Sequence, residues 1–433
     1  MSPEVVLCAR QKAIEELPLV VNETIGIEGS GSGRFQRVHF GRDAFESIIE
    51  VNEENQGDLT TRILDASFKS LETALIHEGS QFDPITRERP GRKAHEVHTS
   101  ASPQDRLAQL FNDPKWRPLV VRNPDGTYRM KNYLSDDATS KHVIAVGVTE
   151  RTVRNYWGNS SYFMERHWPA AKRGVLHDNA IADEHGSRLI VSDAYGPLLN
   201  RNWKDSDSAY KNEEGDVPPP PYIYLTVNAT YYWALLEAAR MAQMSGEVNL
   251  AKECMERASE LKHLINTLFW SPKLEYFVPL IDGEDRQDEI VTDDPIDALW
   301  AEALEPKIAK AVISRLSQPD MLNVYGIRTR SSDSKMFAEN GAEAYHNGPN
   351  WPRRTKQAAK GAEKYGYFAF ARDLDERVFT LESIVGRKEL VPIAKDGFTI
   401  LTYEEDGEPA ANDPQSWEVF GTIGRTAAII NRR

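Results

Sequence analysis

Carboxyl groups set beside tryptophans, on loops that proline stiffens, are the side chains of this chain best suited to chemistry. Trp203-Lys204-Asp205-Ser206-Asp207 runs on to Pro218-Pro219-Pro220-Pro221-Tyr222. Proline fixes φ and limits a loop's freedom, so an acid such as Asp205 can be held in one place. An indole face packs on the C–H groups of a pyranose and displaces water, so Trp203 beside a carboxyl suits a sugar site. The competing reading is a solvated acidic loop with an incidental tryptophan.

Four further segments carry similar residues. At 39–47, Arg42 and Asp43 follow Gly41 and open a helix whose N-terminal dipole favours the acid; a plain helix-start role for Asp43 is the alternative. At 87–98 a Pro-Gly turn delivers His95, Glu96 and His98, whose close spacing in a loop is a weak metal signature, so no metal is expected. At 345–354, Gly348, Pro349 and Pro352 form a rigid turn that projects Tyr345, His346 and Trp351 ahead of a helix. At 400–418, Glu404 and Glu405 leave an apolar run and Pro414-Gln415-Ser416-Trp417 begins the last helix. Adjacent glutamates are most often surface charge, but these lie in a long loop near Trp417. There is no phosphate loop and no Ser or Cys nucleophile elbow, and the Gly-Ser-Gly-Ser-Gly at 29–33 follows no convincing strand. Two carboxyls flanking a bond, one protonated and one ionised, are what glycoside hydrolysis requires.

The elements that must position these groups are helical. Apolar periodicity predicts helices at 4–17, 43–53, 58–78, 103–111, 138–154, 160–174, 223–245, 247–268, 294–303, 306–317, 353–363, 366–382 and 416–430. A short strand pair is expected within 272–282 and another near 118–130, around an Asp-Gly turn. Long loops between helix pairs hold much of the Trp, His and Arg content, which suggests a closed ring of helical hairpins whose loops gather at one mouth. The 433 residues show no compositional break or low-complexity linker, so one catalytic domain over 1–433 is expected. A net charge of −14 argues against nucleic acid or an anionic membrane as partner, leaving a small molecule or oligosaccharide. The N-terminus has no apolar signal region and no run of 18 apolar residues occurs, which predicts a cytoplasmic, non-membrane protein. Cys8 and Cys254 are expected to be buried free thiols.

Six motifs in order, spanning about 35 to 430, resemble the amylo-α-1,6-glucosidase (glycogen-debranching) type of six-hairpin glycosidase, related to glucoamylases and trehalases. They are Phe40-Gly41-Arg42-Asp43; Arg89-Pro90-Gly91-Arg92-Lys93-Ala94-His95-Glu96; Asp136-Asp137-Ala138-Thr139; Trp203-Lys204-Asp205-Ser206; Tyr345-His346-Asn347-Gly348-Pro349-Asn350-Trp351-Pro352; and Pro414-Gln415-Ser416-Trp417. The resemblance implies an all-α (α/α)6 toroid with small β-hairpins in its loops and no cofactor. It implies Arg42 and Asp43 as a grip on sugar hydroxyls, Asp205 as general acid, and Glu404 as general base with Glu405 as understudy. His346, Asn347 and Trp351 would line the sugar pocket, with His95, Glu96, Asp137, Trp203 and Trp417 beside them. The Leu-Pro-Glu-Leu that surrounds the base in that family is replaced here by Leu401-Thr402-Tyr403-Glu404-Glu405.

The expectation is therefore an inverting, exo-acting hydrolase of an α-linked, glucosidic sugar. Successive side chains of an extended segment point to opposite faces, so only one of Glu404 and Glu405 can face the pocket; Glu404 is favoured because its base must reach a water. Arg353-Arg354 after Trp-Pro hints at an acidic aglycone such as a glycerate or uronate. The rivals are an epimerase or lyase on the same toroid, leaning on His95, His98 and His346, and a non-catalytic carbohydrate-binding protein.

Overall fold

The computed structural model describes residues 3–32, 35–54, 56–194, 196–405 and 408–432. Thirteen α-helices occur among them: α1 (Pro3–Glu16), α2 (Gly41–Asn52), α3 (Thr60–Ile76), α4 (Gln104–Asn112), α5 (Ala138–Trp157), α6 (Ser161–Glu184), α7 (Leu225–Met244), α8 (Val248–Leu268), α9 (Pro295–Trp300), α10 (Pro306–Leu316), α11 (Pro352–Lys364), α12 (Phe368–Val385) and α13 (Ser416–Asn431). Each overlaps a helix that the periodicity predicts. Prolines at the first position of α9, α10 and α11 start those helices where a missing N–H costs nothing.

The helices divide by how much of their surface is covered. α8 buries one stripe, Ala251, Cys254, Ala258, Leu261 and Ile265, at the alternating three- and four-residue spacing of an amphipathic helix. In α2 every residue from Gly41 to Asn52 is buried, and in α11 every residue from Pro352 to Ala362. A helix covered all round has neighbours on every side. α2 packs on α5, α5 on α7, α7 on α9, α9 on α11, α11 on α13, and α13 on α2 again, so the chain of contacts closes on itself. α6, α8 and α12 pack against α5, α7 and α11 respectively, and α1 against α13. One apolar cluster runs from Ala13 through Ile423.

The covered helices also bury charge. Glu46 of α2 meets Lys141 Nζ of α5 at 2.6 Å and Arg353 of α11. Lys356 of α11 reaches Glu418 of α13 at 2.7 Å and Glu382 of α12 at 2.8 Å. Buried charges need partners because desolvation otherwise disfavours the ionised form.

A four-stranded antiparallel sheet stands between the helices: His39–Phe40, Glu96–His98, Tyr128–Asn132 and Val120–Arg122, in that spatial order. Its outer hairpin turns at Asp125-Gly126, as the Asp-Gly pair predicts, with Gly126 at φ 87°. Glu96 and His98, expected in a loop, lie in a strand instead; two short partners flank it, a pairing that local pattern does not encode. The 272–282 segment does not pair with itself. Tyr276–Phe277 pairs with Trp270–Ser271, and Leu280–Ile281 pairs with Ile223–Tyr224 ahead of α7. Cys8 is exposed, against expectation, because α1 buries only Val6 and Ala13; Cys254 is buried as expected. No helix is long and apolar enough to cross a membrane among the described residues.

Candidate active site

Asp205 is placed by an anchor directly before it. Lys204 Nζ, fully buried, lies 2.6 Å from Asp293 Oδ1 and 2.7 Å from Asp294 Oδ2, and donates to the Thr329 carbonyl at 3.0 Å. Asp294 also accepts from Tyr210 Oη at 2.7 Å and Thr292 Oγ1 at 2.6 Å. Lys204 is thus fixed inward, while the adjoining Asp205 carboxyl is 30% exposed.

Arg42 is the hub of the cluster. Its Nη1 lies 3.1 Å from Asp205 Oδ2 and its Nε 3.1 Å from Asp137 Oδ1. Asp137 also meets Lys141 Nζ at 3.0 Å. Arg42 reaches this point because α2 begins hard against the strand before Glu96: Gly41 N–H bonds the His95 carbonyl at 2.8 Å, and a Cβ on Gly41 would come within 2.2 Å of the Ala94 oxygen. Burial pushes the Asp205 carboxyl above the ordinary range, with Arg42 opposing it. Asp43 is raised well above its ordinary value by burial, with Glu389 and Glu46 adding to the rise and Arg42 and Arg353 opposing it. Asp137 is held low: Arg42 and Lys141 outweigh its burial.

On the strand, Glu96 Oε1 bonds His98 Nε2 at 2.6 Å, and Oε2 accepts from Asn132 Nδ2 at 3.0 Å. Against the upward pull of burial, His98 and His95 keep Glu96 low. His95 is buried, and desolvation followed by the Arg42 charge lowers it to about 3, so it is neutral at pH 7.

An aromatic cage completes the site. Trp203, Trp351, Trp417, Tyr403 and Leu390 form one buried cluster with Tyr345 packed on it. Trp203 and Trp351 meet edge to face at 5.5 Å, and His346 stacks on Trp351 at 5.2 Å. His346 Nδ1 shares a 2.7 Å hydrogen bond with Ser206 Oγ, next to Asp205. Burial, with Lys204 and Arg353 nearby, holds His346 well below its usual range and therefore neutral. The Asn347 amide serves the loops: Nδ2 donates to the Ser208 and Glu343 carbonyls at 2.9 and 3.0 Å, and Oδ1 accepts from Arg330 Nη1 at 3.3 Å.

Several polar atoms of the cluster and of residues next to it in sequence have no protein partner among the described residues. Trp203 Nε1, Trp417 Nε1, His346 Nε2, both ends of the Gln415 amide, and Arg353 Nε and Nη2 are all buried and unbonded. Such atoms are costly unless something bonds them, and sugar hydroxyls supply both donors and acceptors. Gln415 was not among the expected site residues, although its Pro-Gln-Ser-Trp motif pointed at it.

Glu389 is a buried carboxyl that the sequence reading did not single out. It is 2% exposed, accepts from Tyr345 Oη at 2.8 Å on Oε1 and from Asn412 Nδ2 at 2.6 Å on Oε2, and its charge is felt at Asp43. One signal could have found it. Glu389-Leu390 preserves the second half of the Leu-Pro-Glu-Leu pattern, whose apparent absence directed attention to Glu404. Glu404 is half-buried in a two-residue strand that pairs with Pro409, and its N–H bonds Asn340 Oδ1 at 3.1 Å. The Glu405 side chain lies outside the described residues.

Arg353 and Arg354 do not stand together as an exposed anion site. Both are fully buried; Arg353 pairs with Glu46 and lies 4.2 Å from the Trp417 ring centre, while Arg354 pairs with Asp293 at 2.9 Å and Asp297 at 2.7 Å. Arg354 is thus neutralised inside the ring of helices and its part in holding an acidic aglycone is withdrawn, whereas Arg353 spends Nη1 on Glu46 and keeps Nε and Nη2 without a hydrogen-bond partner among the described residues.

The family model described as a mannosylglycerate hydrolase MGH1-like glycoside hydrolase domain matches residues 190–417. Among solved structures, mannosylglycerate hydrolase of glycoside hydrolase family 63 from Thermus thermophilus, in complex with Tris and D-glycerate, superposes with a TM-score of 0.65 at 12% identity, over 96% of this chain and 99% of that one. The same enzyme in complex with glucose gives 0.63 at 13% identity, with the same coverage. A rhamnosidase from Klebsiella oxytoca with rhamnose bound gives 0.60 at 11% identity, over 98% of this chain and 64% of that one. No curated protein matches. At these identities the structural matches speak for the fold alone, and none of the findings singles out the amylo-α-1,6-glucosidases.

Proposed function

The chain belongs to the MGH1-like glycoside hydrolases, and on that basis we propose an inverting, exo-acting hydrolase of a small α-linked glycoside, built on an (α/α)6 toroid. Asp205 protonates the departing oxygen, a role that suits a carboxyl raised by burial above its ordinary range and set beside Trp203. Glu389 activates the water. Arg42 and Asp43 grip hydroxyls of the sugar in the −1 subsite, and Trp203, Trp351 and Trp417 pack on its C–H faces. Trp203, Trp417, His346 and Gln415 meet its oxygens with the atoms that now lack partners. Glu96 and His95 flank Arg42, while Asp137 orients Arg42 and Asn347 orients the His346 turn.

Glu389 is preferred to Glu404 as base because of one observation: it is buried, with its two oxygens aimed by the Tyr345 phenol, which packs on the tryptophan cluster, and by the Asn412 amide. Glu404 lies in a hairpin strand and retains a claim only from its loop position. Inversion needs the two carboxyls roughly 6.5–9.5 Å apart to admit water.

The relatives' substrate suggests the aglycone. D-glycerate is bound in one of the matched structures, so α-mannosylglycerate and α-glucosylglycerate head the substrate list, ahead of neutral α-glucosides. The test is purified protein against these two compounds, maltose, isomaltose and aryl α-glycosides. Turnover of a glycosylglycerate above every neutral disaccharide supports the acidic aglycone, and preference for isomaltose would restore the debranching specificity. No turnover with any of them, together with saturable binding, would favour a carbohydrate-binding protein.

A further inference from the structure

A cavity of about 440 Å³, sharing no lining residue with the candidate active site, opens between the 212–219 loop and the 280–290 hairpin. Its carboxylates outnumber its cations, and the pairing within it is uneven. Glu213 meets Arg330 at 3.2 Å, Asp282 meets Arg286 at 2.8 Å, and Glu289 meets Lys273. Glu214, Asp216 and Asp288 line the same cavity, and no cation pairs with them among the described residues. Asp288 differs from an ordinary surface acid: its residue is 7% exposed, and its Oδ2 is buried without a hydrogen-bond partner. A carboxyl in that state is unfavourable unless a ligand or a proton satisfies it. Burial lifts it to about 7, with Asp282 and Glu213 adding to the rise and Arg330 opposing it.

The shape of the cavity decides what kind of cation fits. Among the described residues no three Asp, Glu, His or Cys side chains stand where they could hold a metal ion. The space is also many times the volume of a single water, about 30 Å³ in the liquid. Val217, Pro218, Pro219 and Ile290 contribute apolar surface between the acids' positions in the sequence. Methylene chains pack on such surface while their ammonium ends seek carboxylates, as lysine stems do.

We propose that this cavity binds an aliphatic polyamine, with one ammonium on Asp288 and another on the Glu214–Asp216 side. The loop wall continues the segment that bears Asp205, and Glu213 ties it through Arg330 to Asn347, so an occupant braces the far end of the acid-bearing loop. Nothing in this inference depends on the glycosidase assignment.

Isothermal titration of the full chain with spermidine at low ionic strength tests it, with magnesium chloride and 1,8-octanediol as controls. Expected are one saturable site, a spermidine-dependent rise in melting temperature, and at least about tenfold weaker binding in Asp288→Asn, the loss of one charge-assisted contact. Asp216→Asn, on the exposed loop wall, should weaken binding as well and guards against a folding defect in the first variant. Basal hydrolysis should be unchanged in both. Equal heats from magnesium would mean a diffuse counterion effect of the −14 net charge and would overturn the proposal. So would undiminished spermidine binding in both variants, or no saturable binding by the unaltered chain.

Discussion

Removing the Lys204 ammonium strikes the anchor of the acid without touching the acid. In Lys204→Met the apolar stem is retained, but Asp293 and Asp294 lose the cation that lies 2.6 and 2.7 Å from them in a fully buried setting. Breaking a buried pair by deleting one partner costs about 3–5 kcal/mol, because the remaining charge is left uncompensated. Here the residual network limits the damage: Asp293 keeps Arg354, and Asp294 keeps Tyr210 and Thr292. A cost in the lower half of that range follows, about 3–4 kcal/mol. Unfolding entropy of about 2.1 cal/mol/K per residue implies, for 433 residues melting as one unit, a drop of roughly 3–5 °C. Differential scanning calorimetry reads that drop, and Lys204→Met/Asp294→Asn should recover more than half of it, since the second change removes the stranded charge. Turnover should fall with little change in KM, because the backbone that aims Asp205 has lost its pin. An unchanged melting temperature with unchanged turnover would refute the anchoring argument. A lower melting temperature with unchanged turnover would reduce Lys204 to a stabilising residue.

Further outcomes follow from the same geometry. Glu389→Gln should lower turnover about 10²–10⁴-fold while Glu404→Gln stays within a few-fold; the reverse pattern in steady-state assays would return the base to the Glu404 hairpin. Tyr345→Phe removes a hydroxyl donor to Glu389 worth about 1.5–3 kcal/mol, so turnover should fall roughly 10- to 150-fold, and a loss under twofold would mean that the phenol does not orient the base. Glu50 is lifted by burial to about 7, with Glu46 adding to the rise and Lys360 and Lys356 opposing it. As a carboxyl whose folded value is raised, it destabilises the fold progressively as pH climbs from about 4.5 to 7. Glu50→Gln should thus raise the melting temperature at pH 8 more than at pH 5, and an equal effect at both would contradict the assignment. Glu46 has the opposite sign: Arg353 and Lys141 overcome its burial and hold it at about 2. Its stabilisation is present above about pH 4.5 and is lost as pH falls toward 2, which acid titration of Glu46→Gln against the unaltered chain will read.

How far the sequence carried these conclusions depended on which interactions were local. α8 and α10 face the core with one stripe, so their periodicity was explicit. α2 and α11 were harder, since residues such as Glu46, Arg353 and Lys356 are buried by pairing with carboxylates or cations from other helices. Read one segment at a time, Arg353-Arg354 resembles a surface or ligand-binding pair; only the closed chain of helix contacts shows why both point inward. The strand Glu96–His98 was invisible because its partners lie more than 30 residues away on either side and total seven residues. Arg42, Asp137 and Asp205 were legible as separate motifs, and the structure brings them within hydrogen-bond reach of one guanidinium. Glu389 stayed hidden behind Arg387-Lys388, a charged run that reads as solvated surface, and its donors Tyr345 and Asn412 come from two other loops.

The central claim is single displacement at the anomeric carbon by a water that Glu389 activates while Asp205 protonates the leaving oxygen. Proton NMR of the first sugar released from an α-linked substrate, recorded before mutarotation, tests it most directly. The account predicts that the β-anomer appears first and that Glu389→Gln abolishes its formation. Initial release of the α-anomer would mean retention through a covalent intermediate and would contradict it.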